Sequence, residues 1–74
     1  MGFLEINNDF NKYRFFYAVA TYKSFSKAAK NLLISQPAIS YAIKELEEHL
    51  GTKLFIRNTK NVELTEEGEN FFSM

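Results

Sequence analysis

Between Ile34 and Gly51 the apolar residues Ile39, Ile43, Leu46 and Leu50 recur at i, i+4, i+7 and i+11, the spacing of one face of an α-helix. Ser35 is placed to cap that helix, because its hydroxyl can accept from a backbone N–H one turn on. Pro37 falls in the first turn, where a missing N–H leaves nothing unsatisfied. Gly51 supplies a left-handed stop. The opposite face opens with Gln36, Ser40, Tyr41 and Lys44 and carries no carboxylate before Glu45. Amide, hydroxyls, phenol and cation together suit base edges and phosphates. In most proteins such a face is only solvated surface; the flanking segments decide the matter.

Upstream, Tyr13, Phe16, Tyr17 and Ala20 form a helical stripe, widened by Phe15 and Val19. They predict a first helix over about 10–22, capped by Asn8 or Asp9. Residues 1–8 read as a flexible lead-in. Lys23-Ser24-Phe25 breaks the pattern. A second helix over about 27–33 follows, capped by Ser26, with Ala28, Ala29, Leu32 and Leu33 on its apolar side and Phe25 as an anchor just ahead. A turn of only three or four residues leads from there into the Ser35-capped helix. Two helices joined so tightly must cross steeply, which is the helix-turn-helix arrangement, and the second of such a pair is the one that enters a DNA groove.

After Gly51 the period shortens. Lys53-Leu54-Phe55-Ile56-Arg57 and Val62-Glu63-Leu64 are β-prone, and Asn58-Thr59-Lys60-Asn61 suits the turn between them, since Asn tolerates the left-handed region. Residues 53–64 thus predict a two-stranded wing with a basic tip. The bland alternative is a hairpin of purely structural purpose. Thr65 caps a last helix that opens Glu66-Glu67, where acids suit the helix dipole. Phe71, Phe72 and Met74 are its apolar residues, so it is expected to find little to pack on and to be the truncated start of something longer.

A chain of 74 residues makes one small domain. It buries only roughly 60% of its unfolded surface, but eight Phe and four Tyr give it the means to build a core. No Cys is present, so neither a disulfide nor a thiolate metal site stabilises it. No run of about 18 apolar residues predicts a membrane span. The first ten residues carry Glu5 and Asp9 and lack the basic start of a secretory signal.

A net charge of zero argues against a nucleic-acid binder, but the placement of charge answers it. Residues 10–44 hold Lys12, Arg14, Lys23, Lys27, Lys30 and Lys44 and no acid. Residues 49–62 hold Lys53, Arg57 and Lys60, again without an acid. The carboxylates cluster in three other places, so a neutral total can conceal a positive face. Enzymatic chemistry finds no support. His49 is the lone histidine, and Glu45 with His49 at i, i+4 is too small a ligand set for a metal. No glycine-rich phosphate loop exists among three scattered Gly. No catalytic residue, cofactor or metal is expected. The alternative function is a winged-helix protein-interaction module without DNA binding, because fold alone does not fix function.

Ser24-Phe25-Ser26-Lys27-Ala28-Ala29, Ser35-Gln36-Pro37-Ala38-Ile39-Ser40, Leu46-Glu47, Leu50-Gly51, Leu54-Phe55, Arg57 and Leu64-Thr65-Glu66-Glu67-Gly68 occur in that order. This series resembles the amino-terminal DNA-binding domain of LysR-type transcriptional regulators, from about Asp9 to the end. The resemblance implies a mainly α, winged helix-turn-helix fold: a three-helix core, a two-stranded wing over 53–64 and the start of a linker helix. It divides the chain into a lead-in (1–8), a DNA-binding domain (9–64) and the start of a dimerising linker helix (65–74). It implies a cytoplasmic, nucleoid-associated homodimer, paired through the last helix and bound to double-stranded promoter DNA. The resemblance also implies an effector domain, which is expected to lie outside these 74 residues.

By motif position, Gln36 and Ser40 match base-contacting residues, and Gln is able to pair an adenine edge. Pro37 would touch sugar or a thymine methyl, and Ser35 would hold a phosphate as well as cap. Arg57 matches the wing arginine of the minor groove, with Thr59 and Lys60 beside it at the tip. Ser26 and Thr65 cap helices whose N-termini could face phosphates. Tyr41 departs from the pattern, since the family commonly has an Arg or another strong donor there; base readout at that position is expected to be weaker or differently tuned. Lys44 is expected to read a base, hold a phosphate, or pair with Glu48 for about 0.2–0.5 kcal/mol.

Overall fold

The computed structural model describes the backbone of residues 2–57 and 61–73, with side chains from residue 12 onward within those ranges. The elements run α1 (Gly2–Tyr22), α2 (Phe25–Leu32), α3 (Gln36–Leu50), β1 (Phe55–Arg57), β2 (Val62–Leu64) and α4 (Glu66–Phe72). The three long helices enclose the core, and a two-stranded antiparallel hairpin closes it. This is the winged helix-turn-helix that the residue pattern predicts.

Helix α1 starts at Gly2, not near residue 10. No proline interrupts residues 2–22, and Asn8 and Asp9, read as caps, lie within the helix. Its buried stripe is Phe16, Val19 and Ala20 together with Ala18. Tyr13 and Tyr17, expected in that stripe, remain half exposed on its edge. The helix ends as Lys23 turns left-handed at φ 54.

Helix α2 is capped by Ser24, not Ser26. Ser24 is extended at φ −163, and its Oγ accepts from the Lys27 N–H at 3.0 Å. Phe25 becomes the first helical residue and drives its ring into the core. Leu33, expected on the apolar side of α2, is instead 90% exposed. It adopts φ 60, ψ 40 and ends the helix. A left-handed non-glycine residue costs roughly 1–2 kcal/mol. The turn offsets that cost: Leu33 N–H donates to the Lys30 carbonyl at 3.2 Å and Ile34 N–H to the Ala29 carbonyl at 3.1 Å. The reversal turns Ile34 inward in place of Leu33 and delivers the chain to Ser35.

Helix α3 follows the sequence expectation at both ends. Ser35 Oγ accepts from Ala38 N–H at 3.3 Å, Pro37 lies in the first turn, and Gly51 at φ 74 stops the helix. Ile39, Ala42, Ile43 and Leu46 are buried, while Leu50 is left half exposed at the helix end. Burying an Ile or Leu is worth about 1.5–3 kcal/mol, so this face fixes the rotation of α3 and turns Gln36, Tyr41 and Lys44 outward.

In the wing, Phe55 pairs with Leu64, Ile56 with Glu63 and Arg57 with Val62. That register sends Phe55 into the core and Ile56 and Arg57 toward solvent. The turn residues Thr59 and Lys60 lie outside the described residues.

Helix α4 was expected to find little to pack on, and the structure corrects this. Phe71 and Phe72 meet Phe16 with ring centroids 5.1 and 6.2 Å apart. Tyr13 stacks on Phe71 at 5.4 Å and Tyr17 leans on Phe72 at 5.0 Å. The tyrosines of α1 thus form the seat of α4. Aromatic pairs contribute about 0.5–1.5 kcal/mol each beyond buried area, which explains how a seven-residue helix is held.

Candidate nucleic-acid interface

The outward face of α3 and the wing form the two sides of one groove. Ser40, Tyr41 and Lys44 line it from the helix, and Lys53, Ile56 and Arg57 from the wing. Its floor is the core itself, in Phe25, Ile43 and Phe55. Gln36 and Pro37 stand exposed at the N-terminal end of the same helix, with Ser35 as its cap. The expected base-contacting residues therefore share one helix face, and Arg57 is brought across from the hairpin to join them.

Two interactions set the wing against the helix. Glu47 turns toward the hairpin, where its Oε2 accepts from the Leu54 N–H at 2.8 Å and the Phe55 N–H at 3.3 Å. Lys53 Nζ lies 3.9 Å from its other oxygen. One side chain of α3 thus orients the start of β1. The Arg57 guanidinium lies over the Phe25 ring, 4.1 Å from its centroid, an attraction worth about 0.5–1 kcal/mol at an exposed site. Stacking restricts a flexible side chain while leaving its edge donors open for a phosphate or a base. Neither contact has a periodic signature in the sequence, because each joins residues from separate elements.

The charge picture differs from the one drawn from the sequence. Glu45 and Glu47 stand close to the polar ridge rather than apart from it. Each is offset locally, Glu47 by two amides and Lys53, and Glu45 by Lys12 of α1 at 3.2 Å. The Glu45 carboxyl is held below its usual range, first by hydrogen bonding from the nearby Tyr41 phenol and second by Lys12, and the Tyr41 phenol is pushed up in turn. Among the described residues Lys44 forms no ion pair with Glu48, which leaves it available to the groove.

Two expected phosphate contacts change character. Ser26 is exposed within the first turn of α2 but is not its cap. Thr65 Oγ1 donates to the Lys53 carbonyl at 2.7 Å and accepts from Gly68 N–H at 2.9 Å. Its single proton is already placed, and Glu66, Glu67 and Glu69 crowd the helix start. Thr65 is thus a joint between wing and α4. Glu45, likewise, serves Lys12 and Tyr41 rather than forming a ligand pair with His49. Among the described residues no group of three or more His, Cys, Asp and Glu is gathered as a metal site would require, and no helix is long and apolar enough to cross a membrane.

Residues 10–69 match the family model described as bacterial regulatory helix-turn-helix protein, lysR family. The chain belongs to the LysR family. Among its relatives is the HTH-type transcriptional regulator BudR of Klebsiella aerogenes, 58% identical over 59 residues, covering 80% of this chain and 41% of that one. The glycine cleavage system transcriptional activator of Escherichia coli is 47% identical over 62 residues, covering 84% of this chain and 20% of that one. The LysR-family chain described here therefore spans between a fifth and about two fifths of these relatives' length. Among solved structures, the BenM DBD–catB site 1 DNA complex superposes with a TM-score of 0.83 at 43% identity, covering 85% of this chain and 71% of that one. The CbnR DBD–DNA complex gives 0.84 at 38% identity, with 86% and 74% covered. The winged helix-turn-helix is thus the architecture this LysR-family chain shares with proteins solved on DNA.

Proposed function

We propose that this chain is the sequence-specific DNA-binding domain of a LysR-type transcriptional regulator, with α3 in the major groove of promoter DNA and the wing at the adjoining minor groove. The observation that carries this reading is the groove in which Ser40, Tyr41 and Lys44 of α3 face Arg57 of the wing. Gln36, Pro37, Ser40, Tyr41 and Lys44 face base edges, and the Gln36 amide offers the donor and acceptor that an adenine edge requires. Ser35 at the helix start and Arg57 on its aromatic support meet backbone or minor groove. Thr59 and Lys60, which follow Arg57 in the sequence, are assigned to extend that contact. The domain acts by binding, not catalysis, at the nucleoid in the cytoplasm. It works within a longer homodimer, paired through the helix that α4 begins, with an effector domain following it as the length of the relatives suggests.

Binding of the chain to a random duplex pool across a salt series tests this. With about six phosphate contacts, affinity should fall roughly a thousandfold or more between about 50 and 200 mM salt. Arg57→Ala should weaken binding to every duplex, most where the flanking minor groove is narrow. No duplex binding at low salt would refute the reading, and an Arg57→Ala protein that binds as the parent does would remove the wing from it.

A further inference from the structure

Lys44 lines the groove between α3 and the wing from one side, and Lys53, Ile56 and Arg57 line it from the other. With α3 in the major groove of DNA and the wing in the adjoining minor groove, what stands between them is the one sugar–phosphate strand that both grooves share. A strand seated there meets cations on both sides and the exposed Ile56 side chain beside its sugars. It also meets an anion, because Glu47 lines the same groove. The Glu47 Oε2 accepts from the Leu54 and Phe55 amides at 2.8 and 3.3 Å, and its Oε1 faces Lys53 Nζ at 3.9 Å. The Lys53 side chain is 79% exposed, that of Glu47 only 12%. An ion pair this open adds little to stability. An ammonium carries three donors, so Lys53 keeps donors for a second anion.

We propose that Lys53 is a bridging cation: it binds one backbone phosphate of the DNA strand seated between α3 and the wing, and it screens that phosphate from Glu47. This rests on the DNA-binding reading above and deepens it. The site takes a phosphodiester and reads no base, so it adds affinity to every sequence alike. Without Lys53 the phosphate would face the Glu47 carboxylate, which cannot turn away while the Leu54 and Phe55 amides hold it. The same lysine thus serves the wing in the free protein and the DNA strand in the complex.

The test is duplex binding across a salt series by the full chain, its Lys53→Ala and Lys53→Arg variants, and the double variant Lys53→Ala with Glu47→Gln. Each protein is measured on a duplex selected from a random pool and on an unselected one. Lys53→Ala should weaken binding to both duplexes by the same factor. It should also lower the slope of log affinity against log salt by about 0.9, the share of one phosphate. Its deficit should therefore shrink by about threefold between about 50 and 200 mM salt. Lys53→Arg should keep the parent slope. Adding Glu47→Gln should recover part of the Lys53→Ala loss without restoring the slope, because it removes a repulsion and supplies no cation. A defect of folding would reduce the active fraction and leave the slope where it was. Methylphosphonates placed one at a time in the selected duplex should include one that weakens the parent and leaves Lys53→Ala unaffected. A Lys53→Ala protein with the parent slope would overturn the phosphate contact and leave DNA binding standing. A double variant no tighter than Lys53→Ala would overturn the screening of Glu47. Failure of the parent to bind any duplex at low salt would overturn the DNA-binding reading, and the bridging role with it.

Discussion

Replacing Gly68 by alanine sets two effects of opposite sign against each other. Within a helix, Gly→Ala ordinarily stabilises by roughly 0.5–1 kcal/mol, because alanine has less backbone freedom to lose. At position 68 a Cβ would instead run into the backbone carbonyl oxygen of Leu54, with Leu64 Cδ2 at 3.0 Å and the Leu54 carbonyl carbon at 3.1 Å. The nearest obstacle is backbone, so a rotamer change cannot relieve it. Displacing α4 instead would strain the Thr65 N–H to Leu54 carbonyl bond at 3.0 Å and the Thr65 Oγ1 to Lys53 carbonyl bond at 2.7 Å. It would also lift Phe71 and Phe72 from Phe16. Overpacking costs about 1–3 kcal/mol, and two weakened hydrogen bonds add about 1 kcal/mol each. Against the helix gain, a net loss of about 2–4 kcal/mol is expected. Urea unfolding followed by circular dichroism measures it, and in a domain of 60–100 residues each kcal/mol lowers Tm by about 4–8 °C. A Gly68→Ala protein as stable as the parent, or more so, would show that α4 does not press on the wing.

Three further outcomes are expected. Ile43 is 1% exposed, so Ile43→Ala should destabilise the domain by about 2–5 kcal/mol; an unshifted melting curve would mean that α3 is rotated differently. Glu47→Ala removes the acceptor of the Leu54 and Phe55 amides and should cost about 2–6 kcal/mol at roughly 1–3 kcal/mol per unsatisfied group, and unaltered amide exchange in β1 would contradict it. The Glu45 carboxyl is held below its usual range first by Tyr41 and then by Lys12. Its stabilising tie is therefore present above the ordinary carboxylate range and lost as pH falls through the lowered value. An NMR titration of Glu45 should show the low midpoint and its rise in Tyr41→Phe; equal midpoints in both proteins would refute the hydrogen bond as the cause.

The sequence by itself determined what depends on neighbours along the chain. Ser35, Pro37 and Gly51 mark α3 because caps and stops act within one turn. The i, i+4, i+7 spacing of Ile39, Ile43 and Leu46 fixes its buried face by geometry alone, and the short break before Ser35 forces the steep crossing. From these, and from the spacing of the wing, the helix-turn-helix and its outward polar face could be read directly. Local rules did not separate Ser24 from Ser26 as the cap of α2, since both are chemically able; the choice fell to the one that buries Phe25. Nor did they foresee Leu33 left in solvent, because the left-handed turn that exposes it is stabilised by the helix before it. Only the tertiary structure decided that Phe71 and Phe72 sit on Phe16, that Gly68 clears Leu54, and that Glu47 aligns the wing. The same holds for Arg57 on Phe25 and for Lys12 on Glu45. These pairings join elements that meet in space without a fixed interval in sequence, and a one-dimensional pattern records only contacts that repeat at a fixed interval.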